Sequence, residues 1–123
     1  MGTIVHVDNS DFFRKLVKAF LEELGHEAQG FARGEDALDM IMAGEVHYVI
    51  TGLELADMSG EDFIKQLVLY ADTVPVIVIT SKDEGAQNAG LNELGVKAVI
   101  QKSGDWKIAL KEKLARIIAE DNE

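Results

Sequence analysis

Apolar residues along this chain follow two spacings. Short unbroken runs rich in branched side chains occupy residues 3–7 (TIVHV), 48–51 (YVIT), 75–80 (PVIVIT) and 97–101 (KAVIQ); Asp8, Ser81 and Lys102 follow three of them, and Gly52 follows the second. Between them, apolar positions recur every three or four residues. The first such segment carries Phe13, Leu16, Val17, Phe20, Leu21 and Leu24, and a shorter one at 34–44 carries Ala37, Leu38 and Ile41. The last carries Trp106, Leu110, Leu114, Ile117 and Ile118. Runs of the first kind predict strands covered on both faces, and segments of the second predict helices with one apolar face. A further strand, weakly branched, is predicted at 26–31. Helices are also predicted at 60–70 and 81–94. Gly85 and Gly90 each cost the latter roughly 1 kcal/mol against alanine, so it is expected to be the least stable helix.

The boundaries carry their own signals. Asn9 or Ser10 can cap the first helix, and Gly25 can end it. Ser59 precedes Asp62 by capping-box spacing, and Asp105 can cap the last helix. Strand and helix alternate five times with short connections. That order predicts a doubly wound five-stranded parallel sheet with right-handed crossovers and helices on both faces. No repeat or linker interrupts it, so residues 1–123 are expected to form one domain with a core of its own.

Parallel strands share a direction, so their carboxyl ends form one rim, where open α/β sheets place their chemistry. This rim collects Asp8-Asn9, Thr51-Gly52, Thr80-Ser81 and Lys102. Composition narrows what the rim can do. Twelve Lys and Arg face 22 Asp and Glu, a formal charge of −10 that disfavours nucleic acid and anionic membrane as partners. The absence of cysteine removes a thiol nucleophile and a cysteine zinc site, and agrees with a reducing, cytoplasmic setting. No apolar run reaches membrane-spanning length. No glycine-rich loop follows the first strand, which counts against a nucleotide or flavin site.

The pieces IVHVDNS, GHEAQGFARGEDAL, YVITGLELADMSGEDF, VPVIVITS and GVKAVIQK resemble a response-regulator receiver domain, the single-domain kind typified by the chemotaxis regulator. The resemblance implies a flavodoxin-like three-layer sandwich in bacterial-type two-component signalling. It matches Asp8 to the first acid of the family's acidic pair, Thr80 to the hydroxyl after the fourth strand and Lys102 to the lysine after the fifth. Departures accompany these matches. The second acid is Asn9, and the phospho-acceptor position, counted back from Gly60, falls on Gly52. Leu55-Ala56 stands for the usual Met-Pro, Ser103 for the proline after the lysine, and Val99 for the switch aromatic. So many departures together read as a naturally altered site.

Each departure has a chemical meaning. Phosphoryl transfer needs an oxygen nucleophile held in line, and glycine has none. In the family, Mg²⁺ is held by the second acid, the acceptor and a carbonyl two residues on. Here those are an amide, nothing and the Glu54 carbonyl, so Mg²⁺ binding is expected to be lost or weak and no other cofactor is implied. Lys102 can balance Asp8 alone, as a structural ion pair. Thr80 is expected to be a strand-end hydroxyl bonded to backbone, and Glu54 and Asp57 to be solvated loop acids rather than substitute acceptors. His6, His26 and His47 lack metal-ligand spacing and read as ordinary strand histidines. Trp106 is expected in the core or at its edge, and Phe12 at the surface.

The resulting expectation is a pseudo-receiver, not an enzyme. It would act through protein partners and have no small-molecule substrate. By resemblance the output face comprises residues 81–93, 97–99 and 106–113, with Val99 and Trp106 at the switch. Two rivals remain at this point: a phospho-responsive regulator using another acceptor, and a small α/β enzyme or cofactor carrier, for which no nucleophile–base pair can be assembled.

Overall fold

The computed structural model describes residues 2–81 and 90–121. The elements are β1 (Thr3–Val7), α1 (Asp11–Glu23), β2 (Glu27–Phe31), α2 (Gly34–Met42), β3 (Tyr48–Thr51), α3 (Gly60–Tyr70), β4 (Val76–Thr80), β5 (Ala98–Gln101) and α4 (Trp106–Asp121). All strands are parallel, in the order β2-β1-β3-β4-β5. The helix predicted at 81–94 lies largely outside the described residues; 90–93 are helical. At the fourth strand the ladder begins one residue later than predicted. Pro75 has no N–H to contribute, and it supplies only a carbonyl, to Val49 at 3.0 Å.

The branched runs explain the layers. Successive strand residues point to opposite faces, and here the two faces are sorted by side chain. Val5, Val7, Val49, Val76 and Val78 pack with Ala37, Leu38 and Ile41 of α2 and with Phe63, Ile64 and Leu67 of α3. Ile4, Ile50, Ile77, Ile79 and Ile100 pack with Phe13, Val17 and Leu21 of α1 and with Trp106, Leu110, Leu114 and Ile117 of α4. All five residues of β4 are buried, as its unbroken apolar run requires.

Helix ends are fixed locally. Ser10 Oγ accepts the Phe13 N–H at 3.1 Å, so Ser10 rather than Asn9 caps α1. Gly25, at φ +93°, carries the chain out of α1 in a conformation that side chains resist. Ser59 Oγ likewise accepts the Asp62 N–H at 3.1 Å. Asp105 stands before α4, where its carbonyl accepts the Ala109 N–H at 3.1 Å.

Candidate functional site

The strand register builds the rim. Val7 pairs with Thr51, Thr51 with Val78, and Thr80 with Gln101. The residues just past β1 and β3, Asp8 and Gly52, are thereby neighbours, and the Gly52 N–H donates to the Val7 carbonyl at 2.8 Å. Lys102 follows β5, its N–H donating to the Thr80 carbonyl at 2.8 Å. Asp8, Gly52, Thr80 and Lys102 line one hollow of about 60 Å³ together with Leu53, Glu54, Ile79 and Ser81. Small-molecule sites typically enclose roughly 300–1,000 Å³, so this hollow is sized for an ion or a water or two. Asn9 is exposed and takes no part in the lining. Val99 and Trp106 lie apart from it, at a shallow groove beside β5.

Asp8 dominates the hollow. It is 4% exposed. Its Oδ1 accepts the Ser10 N–H at 2.9 Å, and its Oδ2 lies 3.0 Å from Lys102 Nζ. That second contact is an ion pair without hydrogen-bond alignment, since Oδ2 has no hydrogen-bond partner among the described residues. A Cβ built on Gly52 would fall 2.9 Å from the same Oδ2 and 3.4 Å from Asp8 Cγ. The Asp8 carboxylate therefore stands in the room that a side chain at position 52 would need.

Mg²⁺ wants an octahedron of oxygens, usually including one or two carboxylates. Gly52 offers no side-chain oxygen, Asn9 faces solvent, and the inward oxygen of Asp8 is turned to an ammonium. Among the described residues no group of three His, Cys, Asp or Glu side chains is placed to hold a metal ion. This donor set does not fit Mg²⁺.

The loop after β3 corrects one expectation. Asp57 is not a solvated loop acid: its side chain is only 11% exposed. Its two carboxylate oxygens accept the N–H groups of Gly34 at 2.7 Å and Glu35 at 3.1 Å. The residue preceding α2 is Arg33, which makes no side-chain cap, so Asp57 closes that helix from the next loop. Burial pushes the Asp57 pKa up. The Glu35 and Gly34 N–H groups and the Arg33 guanidinium outweigh it and hold the carboxyl below its ordinary value. Removing the cap in Asp57→Ala should cost about 1 kcal/mol, up to roughly 2. A carboxyl held low stabilises the fold above its unfolded pKa, and that contribution fades as pH falls through the folded value. Urea midpoints should thus differ most between parent and variant near neutrality and converge in acid. An Asp57→Ala midpoint equal to the parent's at neutral pH would refute the cap.

His6 was expected to be an ordinary strand histidine. It is 2% exposed, on the isoleucine face of β1, and neither ring nitrogen has a hydrogen-bond partner among the described residues. Phe13 packs edge-on against it, with ring centroids 5.8 Å apart. Burial lowers its pKa from 6.5 to about 4; Asp8 opposes the shift, while Lys102 and Arg14 add to it. The signal was present in the sequence: His6 shares strand parity with Ile4, which is buried. His47 serves locally, its Nδ1 accepting the Thr3 N–H at 3.0 Å. Phe12 is exposed, and Trp106 is buried against α1.

Comparison with known proteins accords with this architecture. The family described as the response regulator receiver domain matches residues 4–114. The chain is 31% identical over 117 residues to Chemotaxis protein CheY-3 of Vibrio cholerae, covering 93% of this chain and 89% of that protein. It is 32% identical to the protein-glutamate methylesterase/protein-glutamine glutaminase of Bacillus subtilis, over 97% of this chain but only 36% of that longer enzyme. Among solved structures, a CheY-like receiver domain protein from Methanospirillum hungatei superposes with a TM-score of 0.90 at 20% identity, covering 99% of this chain and 97% of that one, and so shares the fold. The Thermotoga maritima response regulator TrrA, solved in complex with Mg(2+)-BeF, gives 0.83 at 26% identity, covering 94% and 98%. The five-stranded parallel sheet is the CheY-like flavodoxin fold, and the family's role is regulatory rather than catalytic. No helix among the described residues is long and apolar enough to cross a membrane. This chain belongs to the response regulator receiver domain family.

Proposed function

We propose that this receiver, read as one unit over residues 1–123, does not accept a phosphoryl group and acts in two-component-type signalling by contacting protein partners. One observation carries the reading. At the acceptor position Gly52 has no nucleophile, and the neighbouring Asp8 carboxylate, 3.0 Å from Lys102, fills the space one would occupy. An in-line attack on phosphorus needs an oxygen at that strand end and a metal to bridge the charge, and neither is provided for. The partner surface follows from the resemblance: residues 81–93, 97–99 and 106–113, of which 82–89 lie outside the described residues.

Incubation with acetyl phosphate and Mg²⁺, followed by intact-mass measurement, tests this directly. No phosphoryl mass should be added; a labelled protein would overturn the reading. The double variant Gly52→Asp/Asn9→Asp supplies the two missing carboxylates. It should gain Mg²⁺-dependent quenching of Trp106 fluorescence that the parent lacks. Because the new Cβ would lie 2.9 Å from Asp8 Oδ2, Asp8 has to rotate away from Lys102 for this to happen. A double variant that is folded yet indifferent to Mg²⁺ would show the site to be misplaced.

A further inference from the structure

A line of side-chain contacts joins the hollow to the groove beside β5, and each member comes from a different part of the fold. Asp8 follows β1, Lys102 follows β5, Phe13 lies on α1 and Trp106 opens α4. Lys102 Nζ is 3.0 Å from Asp8 Oδ2 and 4.3 Å from the centre of the Phe13 ring. Phe13 meets Trp106 edge-to-face at 5.1 Å and 62°. Trp106 also packs on Phe20 at 5.7 Å, and it lines the groove with Val99 and Lys113. One ammonium thus serves two bodies at once, a buried carboxylate and an aromatic face. Both contacts depend on its charge, because a carboxylate and the π face of a ring each attract a cation.

We propose that the Asp8–Lys102 pair, acting through Phe13, sets the position of Trp106 and so the shape of the groove. The hollow and the groove are then two ends of one coupled unit. With the charge pair intact, the Phe13 ring is held flat to the ammonium, and its edge fixes the indole. Without it, Phe13 has no preferred partner on that face and the indole can re-pack toward the groove. The coupling does not depend on whether the hollow accepts phosphate, so it can fail or hold separately from the reading above.

Trp106 is the only tryptophan, so its emission reports the far end of the line alone. The informative variant is Asp8→Asn/Lys102→Met, which keeps size and leaves no unpaired buried charge. Its Trp106 emission should move to longer wavelength and be quenched faster by acrylamide, with far-UV circular dichroism unchanged. Parent-like emission and quenching in this folded variant would overturn the coupling. In a Phe13→Leu background, the same two changes should move the emission no further than Phe13→Leu alone does. An equal shift with and without Phe13 would also overturn it. Should the double variant fail to fold, Asp8→Asn alone gives a milder test: a shift in the same sense supports the coupling, and unmoved emission refutes it.

Discussion

Gly60→Ala should remove a large share of the stability of the fold, although it adds a single methyl group at the start of a helix. The Gly60 N–H donates to the Leu53 carbonyl at 2.9 Å, drawing α3 down onto the end of β3. A Cβ built there would fall 2.1 Å from the Gly52 carbonyl oxygen and 2.8 Å from Leu53 Cα. Both are backbone atoms. The Gly52 carbonyl is further held by the Thr51 hydroxyl, which donates to it at 2.8 Å within a fully buried strand end. No rotamer change relieves the clash, so α3 or the β3 terminus has to move. Overpacking that displaces backbone costs about 3 kcal/mol or more, against a total stability of roughly 5–15 kcal/mol. Urea unfolding should show a much lower midpoint with an unchanged slope. An alanine variant as stable as the parent would mean that the two backbones are not in contact.

The second large effect is expected at His6. Its folded pKa of about 4 lies below the ordinary 6.5, because burial against Ile4 and Phe13 disfavours the charged ring. The unfolded chain therefore takes up a proton that the folded chain refuses. Stability is fully present above about 6.5, declines as pH falls, and has lost the whole contribution once pH passes below about 4. The gap corresponds to roughly 3 kcal/mol. His6→Leu removes both the titration and two buried nitrogens that have no partner among the described residues. Near neutrality it should stabilise the fold by about 1–2 kcal/mol, the usual cost of an unsatisfied buried polar group. The larger sign is in acid, where parent and variant midpoints should separate progressively. If the two pH profiles run parallel between neutrality and pH 4, His6 is not the group that titrates.

These two residues show what a reader of the sequence can and cannot see. The sheet was legible because branched runs such as VIVIT are too apolar to face water on either side, and β4 is buried throughout. The rim was legible because parallel strands must end together, which placed Asp8, Gly52, Thr80 and Lys102 around one hollow. Asn9 was not legible. It adjoins Asp8 in the chain yet faces solvent, because successive residues leaving a strand turn to opposite sides. Asp57 was hidden for another reason: its partners, Gly34 and Glu35, lie more than twenty residues away and belong to a helix whose own N-cap, Arg33, lacks a suitable acceptor. Short-range patterns carry no trace of a cap lent by another loop. His6 was readable by strand parity but not by residue type, since histidine is at home in either setting.

The Asp8 carboxylate resting 2.9 Å from where a residue-52 Cβ would start also bears on what placing an acid there would take. An acid introduced at that strand end by itself would set two negative groups against each other. The Asp8 side chain would have to turn aside. A single substitution at position 52 is in this sense opposed by a neighbour that must repack with it, so the rim resists a new carboxylate more than its open hollow suggests.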